Sequence, residues 1–330
     1  MAISYIVFDL EWNQNPRGKV GKLPDLPSEI IEVGAVKLDE NLETVSEFSR
    51  FVRPFIYKKL DYRVRALTNI QTGQLQKEGK AFAQVMREFF HWCGMDSDEE
   101  VIFCSWGNMD LLELQRNLHF FHVRNPFSYP LFYYDVQKLY GRCFPDAEKK
   151  ATALATAVEV LGLEAEGAFH RAIEDARYTA KVLQQLPFEA LKVYRSLDYY
   201  HLPANEDEEL YIDFPDYAKY VSRIFPDRDS AIHDKTVTDM LCFRCHRMLK
   251  KKLRWFSANQ RSYYCIAVCP EHGLLRGKLK IRRAEGMQVY CIKTTKFVNQ
   301  ETAERIAQLQ QTLREKQTLK NRKLPHRRNP

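Results

Sequence analysis

The stretch "IVFDLEW", Ile6 to Trp12, decides how this sequence is read. It is an apolar run that carries two carboxylates two residues apart. Strand side chains alternate between faces, so Asp9 and Glu11 share one face with Val7, while Ile6, Phe8 and Leu10 occupy the other. Two like charges on a half-buried face are costly to desolvate unless a cation lies between them, and a divalent metal is the usual one. An edge strand with a solvated outer face explains the pair as well, so its meaning depends on the rest of the chain.

Working outward, residues 13–28 read as a loop from their Pro and Gly content. "EIIEVGAVKL" (29–38) and "TVSEFSRFV" (44–52) read as strands joined at "DENLE". "QKEGKAFAQVMREFFHWC" (76–93) has apolar residues at helical spacing, Phe82, Val85, Met86, Phe89 and Phe90. "EEVIFCSWG" reads as a strand, "MDLLELQRNLHFF" as a helix, "LFYYDVQKLY" as mixed, and "ATALATAVEVLGL" and "RAIEDARYTAKVLQQL" as helices. Three early strands followed by strand and helix alternation describe an α/β layer with a mixed sheet.

The chain has 330 residues, 45% hydrophobic and 28% charged, which is ordinary for a globular protein and long for one core. No apolar run approaches the ~20 residues that cross a bilayer, and the first residues lack the basic and apolar segments of a signal peptide. The expectation is a cytoplasmic protein with no membrane association, whose eight cysteines are thiols or metal ligands rather than disulfides. The net charge of +7 is unevenly spread: residues 235–330 hold 23 of the 50 Lys and Arg but only 6 of the 43 Asp and Glu. An acidic body with a basic appendage suits a polyanionic substrate. The last stretch, "LKNRKLPHRRNP" (319–330), reads as a solvated, disordered end.

Two further acidic positions give the opening pair its context. In "FCSWGNMDLLEL" a strand ends in a Gly turn, and Asp110 falls in the first turn of the next helix, near the carboxyl edge of the sheet. In "GAFHRAIEDARYTAKVL", His170 precedes Asp175 by five residues, about 140° around a helix, so His170 belongs on the loop or first turn before it. Asp175 then shares a face with Ala172, Ala176 and Thr179, whose small side chains permit close approach to the sheet.

In that order and those contexts, "FDLEW", "SWGNMD" and "HRAIEDA" resemble the three motifs of the DEDDh family of 3′–5′ exonucleases. The resemblance covers residues 4 to 186. "PSEIIEVGAVKLD" and "FVRPFIYKKLDYRVRALTNIQTGQL" are similar to the subfamily that trims 3′ ends of small RNAs, ribosomal RNA and histone messages. Trp12-Asn13 departs from many members, which carry a small or hydroxyl residue there. The resemblance implies an RNase H-like five-stranded mixed sheet flanked by helices. It implies two Mg²⁺ or Mn²⁺ ions ~3.5–4 Å apart on Asp9, Glu11, Asp110 and Asp175, hard oxygen donors suited to such ions, with His170 as general base. By family position Leu10, Trp12, Leu67, Thr68 and Ile70 would contact the terminal nucleotides.

Cys242 and Cys245 form a C-x2-C pair, and "YYCIAVCPEHG" adds Cys265, Cys269 and His272, the spacing of a zinc ribbon. Cys242, Cys245, Cys269 and His272 are the favoured ligands of one structural Zn²⁺, with Cys265 as the alternative. Around them "KKKLRWF", "LLRGKLKIRR" and "VYCIKTTKF" interleave basic and aromatic residues, a pattern for a nucleic-acid face.

The expected organisation is an exonuclease domain at 1–190, an acidic helical connector at 191–239, a basic zinc-ribbon-like domain at 240–298, and a basic helix and tail at 299–330. In the helix, Ile306, Leu309 and Leu313 share a face. The expected activity is metal-dependent hydrolysis of single-stranded nucleic acid from its 3′ end to nucleoside 5′-monophosphates, with RNA favoured and the zinc ribbon helping to hold the substrate. A DNA proofreading-type nuclease is the alternative within enzymes. A non-catalytic nucleic-acid-binding module is the alternative outside them, although it would have no use for five converging polar groups.

Overall fold

The computed structural model describes residues 3–323 except 17, 19, 22, 145–151, 165, 166, 168 and 260. The chain divides into two compact units, Met1–His201 and Leu202–Pro330.

The first unit is built on β1 (Ile3–Asn13), β2 (Glu29–Leu38) and β3 (Thr44–Phe51), then α1 (Tyr62–Thr68), α2 (Thr72–Glu78) and α3 (Phe82–Cys93). β4 (Glu100–Ser105), α4 (Met109–Phe120), β5 (Phe132–Asp135) and α5 (Val136–Cys143) follow, then α6 (Leu154–Val160), α7 (Ala172–Gln185), α8 (Phe188–Leu191) and the two-residue β6 (Ser196–Leu197). The sheet order is β3-β2-β1-β4-β5-β6. β1 runs antiparallel to β2 and parallel to β4, so the expected mixed sheet of five strands is present, with β6 added at its edge.

Alternation along β1 sorts its side chains into two cores. Tyr5 and Val7 pack with Ala176, Val182 and Leu183 of α7, while Ile6, Phe8 and Leu10 pack with Val85, Met86 and Phe89 of α3 and Leu111 and Leu114 of α4. Asp9 and Glu11 therefore lie on the α7 side of the sheet.

Gly34 of β2 is the register partner of Asp9. A β-carbon there would stand 2.1 Å from both the Ala172 carbonyl carbon and the Ile173 nitrogen. Only glycine lets the start of α7 rest on the sheet at this point, and that contact brings Asp175 toward the acids of β1.

The helix expected over 76–93 is two helices. Gly79 ends α2, where a β-carbon would meet the Leu75 carbonyl oxygen at 2.4 Å. Between the helices, Lys80 N donates to Phe51 O at 3.1 Å and Arg53 N to Lys80 O at 2.8 Å. Hydrogen bonding to the end of β3 overrides helical spacing there.

The second unit holds β7 (Leu210–Asp213), β8 (Tyr217–Val221), α9 (Arg228–His233), α10 (Lys235–Thr238), β9 (Lys250–Asn259), β10 (Ser262–Cys269), β11 (Gly273–Arg283), β12 (Val289–Phe297) and α11 (Gln300–Lys323). Its strands form one sheet in the order β7-β8-β12-β11-β10-β9, with every neighbouring pair antiparallel.

The stretch expected to be an acidic helical connector is thus divided: residues up to 201 belong to the first unit, and the rest supply two strands and two short helices to the second. Its acids are not all solvated. Glu209 and Asp234 grip the Arg223 guanidinium at 2.8 and 2.9 Å, and Tyr220 donates to Glu209 at 2.8 Å. On α11 the buried stripe is Ala303, Ile306 and Gln310, and Leu309 is exposed, because at ~100° per residue it lies about 60° beyond Ile306 on the side away from Ala303 and Gln310. Residues 324–330 of the tail lie outside the described residues.

Replacing Gly34 by Val is expected to destabilise the first unit by more than about 3 kcal/mol, since the clash is with backbone that cannot rotate away. Urea unfolding followed by tryptophan fluorescence would measure it, and a wild-type midpoint would remove the close-packing role.

Candidate active site and Cys3His centre

An open cleft of about 460 Å³ lies in the first unit, and Asp9, Glu11, Asp110, His170 and Asp175 all line it. Each arrives from a different local cause. Asp9 and Glu11 come from the last turns of alternation in β1, just before a register shift between Glu11 and Trp12. Asp110 sits in the first turn of α4, where Leu10 N donates to its Oδ1 at 3.2 Å. His170 lies before α7 with φ +68°, and its N–H donates to the Asp175 carboxylate at 3.2 and 3.3 Å.

A ring nitrogen of His170 and carboxylate oxygens of Glu11 and Asp175 lie within 4.8 Å of one another. The histidine is exposed while Asp110 and Asp175 are buried. A solvent-facing imidazole above sunken carboxylates can exchange protons with something bound in the cleft.

These carboxyls hold one another's charge in check. Burial, then the neighbouring Asp110, Asp175 and Glu11, pushes Asp9 well above the usual carboxylate range. Burial followed by Asp175 and Glu32 raises Glu11 to about 8. Burial carries Asp110 up to about 7 in spite of the Leu10 N–H, and Asp175 up to about 6 in spite of the His170 N–H. Hard oxygen donors whose mutual repulsion makes them hold protons, and which a cation would relieve in the protons' place, are the donor set of a divalent-cation site.

Glu32, which sequence reasoning passed over, is the register partner of Glu11 and is 1% exposed. Arg171 holds it by two nitrogens, Nη2 at 2.7 Å and Nε at 3.2 Å, and Ala172 N donates to it at 3.2 Å. Its charge is spent on fixing the start of α7. A glutamate alternating with Gly34 inside "EIIEVGAV" was the available signal, because an acid within an apolar strand requires a partner.

Of the proposed nucleotide contacts, Leu10, Trp12, Leu67 and Thr68 line the cleft and Ile70 does not. Ile70 is 1% exposed and packs with Ile31 and Leu75. Thr68 Oγ1 donates to Val64 O at 2.8 Å, whereas Leu67 is open to solvent. The cleft also gains Arg63, Trp106 and Met109. Trp106 lies inside the motif "SWGNMD", and its Nε1 donates to Thr152 O at 3.1 Å, which fixes the indole beside the acids.

In the second unit, donor atoms of Cys242, Cys245, Cys269 and His272 lie within 4.8 Å of one another. The Cys245 and Cys269 sulfurs are 3.7 Å apart, and His272 Nδ1 is 3.6 Å from Cys242 Sγ and 3.4 Å from Cys269 Sγ. A tetrahedral zinc with ordinary bond lengths has edges of ~3.8 Å between sulfurs and ~3.6 Å between sulfur and nitrogen. The donors thus fit a four-coordinate thiolate and imidazole site.

Two turns shape it: His246 takes φ +54° after the C-x2-C pair, and Gly273 takes φ +85° where β11 leaves the Cys-Pro-Glu-His turn. Cys265, the alternative ligand, is outside this group. Its side chain lies under β11, where a β-carbon on Gly277 would come within 2.6 Å of its sulfur, and burial raises its thiol to about 12.

The raised carboxyls bind more protons folded than unfolded, so in a chelator stability should fall as pH rises from about 4 to about 8. Asp110→Asn should flatten that slope and stabilise the protein near pH 8 on the order of 2 kcal/mol. Thermal unfolding across that range checks it, and parallel curves for the two proteins would contradict the repulsion.

An exonuclease family model, RNase_T, matches residues 6–183. The protein described as "Probable 3′-5′ exonuclease KapD" from Bacillus subtilis is 32% identical over 181 residues, covering 55% of this chain and 83% of that one. The 3′-5′ exoribonuclease 1 of Rattus norvegicus is 28% identical over 166 residues, covering 47% of this chain and 45% of that one. The crystal structure of the nuclease domain of 3′hExo, a DEDDh family member bound to rAMP, superposes with a TM-score of 0.51 at 19% identity, covering 60% of this chain and 98% of that domain. The first unit therefore has the RNase H-like exonuclease fold, and the sheet bearing the Cys3His cluster is an addition to it. With more than half of its length matched by the family model, the chain belongs to the DEDDh family of 3′–5′ exonucleases.

Proposed function

We propose that the chain hydrolyses single-stranded nucleic acid from the 3′ end, RNA in preference to DNA, releasing nucleoside 5′-monophosphates. The observation that carries this reading is the convergence of Asp9, Glu11, Asp110, Asp175 and His170 on one open cleft. The relatives named for ribonuclease activity, and the rAMP bound to 3′hExo, support RNA.

Two Mg²⁺ or Mn²⁺ ions held by Asp9, Glu11, Asp110 and Asp175 would offset the charge of the scissile phosphate, lower the pKa of the attacking water and stabilise the leaving 3′ oxygen. His170 takes the proton from that water at a ring nitrogen, a task suited to an imidazole that meets solvent. Its backbone bond to Asp175 keeps the ring on the acidic side of the cleft. The exposed Leu67 and the indoles of Trp12 and Trp106 give the terminal bases apolar surfaces to stack on.

The Cys3His centre is proposed to hold one structural Zn²⁺, closed by four protein ligands and supplying folding energy to the second unit. The protein is proposed to act in the cytoplasm.

With 5′-labelled RNA and DNA and added Mg²⁺ or Mn²⁺, a ladder should shorten from the 3′ end, faster on RNA. His170→Ala and Asp110→Asn should each slow it by at least about a hundredfold. A ladder that survives both changes would overturn the mechanism, and none on either strand would favour a binding module. Metal analysis of the purified chain should find about one zinc; a zinc-free, folded second unit would leave the four residues as a thiol cluster.

A further inference from the structure

The cleft of the first unit holds a cation that the hydrolysis itself does not use. Asp9, Glu11, Asp61, Asp110 and Asp175 line it, and among the described residues Arg63 is the one Lys or Arg in the same lining. An exposed guanidinium amid five carboxyls would ordinarily pair with one of them. Arg63 does not. Its Nε donates to the Tyr62 hydroxyl at 2.9 Å, and Nη1 and Nη2 have no acceptor among the described residues.

The segment that carries Arg63 is tied to the catalytic strand. Asn13, fully buried at the end of β1, donates through Nδ2 to Tyr57 O at 2.8 Å and to Lys59 O at 2.9 Å. Its Oδ1 accepts from Asp61 N at 2.9 Å. Asp61 then caps α1, its Oδ1 accepting from Arg63 N at 2.8 Å. The strand that places Asp9 and Glu11 therefore also places the start of α1.

The side chain is oriented as well as anchored. Its guanidinium carbon lies 5.3 Å from the Tyr62 ring centre, and the Nε bond to the hydroxyl of the same ring fixes the plane of the fork. A guanidinium that served only solubility needs no such support. Held this way, with both terminal nitrogens open, it is arranged for an external anion, and its paired N–H groups match the oxygens of a phosphate.

The position fits a particular phosphate. Arg63, Val64, Leu67 and Thr68 of α1 line the cleft, and residues four apart share a helix face. Thr68 near the carboxyl end of the helix is buried while Arg63 at the amino end is exposed, so Arg63 stands at the outer end of this face. It lies four residues ahead of Leu67, about 6 Å along the axis, which is on the order of one nucleotide step. A strand whose scissile phosphate meets the acids and whose terminal base meets Leu67 brings its next phosphate to the guanidinium.

We propose that Arg63 binds the phosphate one nucleotide to the 5′ side of the scissile bond, so that the cleft selects a polynucleotide strand over esters that lack that phosphate. The proposal rests on the exonuclease reading.

The test uses two short 5′-labelled RNA strands with Mn²⁺ and the full chain. In one, the linkage next to the scissile bond on its 5′ side is an uncharged methylphosphonate; in the other it is an ordinary phosphate. Both carry a 2′-O-methyl group on the third nucleotide from the 3′ end, which keeps the methylphosphonate intact. Removal of the terminal nucleotide breaks the same P–O bond in each, so the two strands differ only at the phosphate assigned to Arg63.

The wild-type kcat/KM should be at least about tenfold higher on the all-phosphate strand, as expected for a charge-assisted contact. Arg63→Gln should bring that ratio close to one, and Arg63→Lys should fall between, since it keeps the charge without the fork. Each ratio is taken within one protein, so a general loss of fold cancels.

A wild-type ratio near one would overturn the proposal and leave the exonuclease reading in place. So would an Arg63→Gln ratio equal to that of wild type, even with both rates reduced, because Arg63 would then act on the scissile phosphate or on the fold. If the wild type shortens neither strand, the exonuclease reading fails and the proposal falls with it.

Discussion

The backbone of α7 at Ala172 and Ile173 lies on Gly34 with no room for a β-carbon, and Gly34 stands in register with Asp9. This contact governs the geometry of the cleft, because Asp175 reaches the acids of β1 only if its helix starts this close to the sheet. Arg171 and the Ala172 N–H bind Glu32 one strand away and fix the helix start laterally. His170, immediately before that helix, is then held where its N–H meets Asp175. Bringing like charges together is unfavourable by itself, and it is packing of the apolar faces of β1 against α3, α4 and α7 that enforces it.

The raised carboxyls express the same tension. A core that could relax would separate Asp9, Glu11, Asp110 and Asp175, whereas here they are anchored on a central strand and two helix starts. Such fixed carboxyls, whose repulsion a cation relieves better than protons do, are what gives the cleft its proposed selectivity for divalent cations. The second unit follows a different plan. Its sheet closes one face with a core and the Cys3His cluster, and α11 packs on part of the other.

Much of the cleft was legible in the sequence. Strand alternation placed Asp9 and Glu11 together, a Gly turn before an apolar helix placed Asp110, and the five-residue spacing put His170 ahead of Asp175. These are local rules with short reach. Where tertiary hydrogen bonds compete, they fail: Lys80 bonds to the end of β3 and breaks a helix that spacing alone would continue. Ile70 was placed by its neighbourhood in a motif, but its side chain turns inward to Ile31 and Leu75. The acidic stretch before Met240 read as a helical connector because the strand pairing of β7 and β8, and partners such as Arg223, become visible only after folding.

The sequence by itself determined the residue types, their order and their local elements, and with them the family and a Cys and His cluster in which Cys265 stayed an alternative member. Motif spacing carries that information because alternation and helical pitch act over a few residues. The tertiary structure alone decided that Glu32 serves α7 rather than the metal-type cluster, that Trp106 and Arg63 border the cleft, and that Cys265 lies under a strand away from the other thiols. It also decided that Arg276, Lys278, Lys280 and Arg282 of β11 share one face of their sheet. These facts depend on which strands pair and in what register, and register is fixed by packing between segments far apart in the chain.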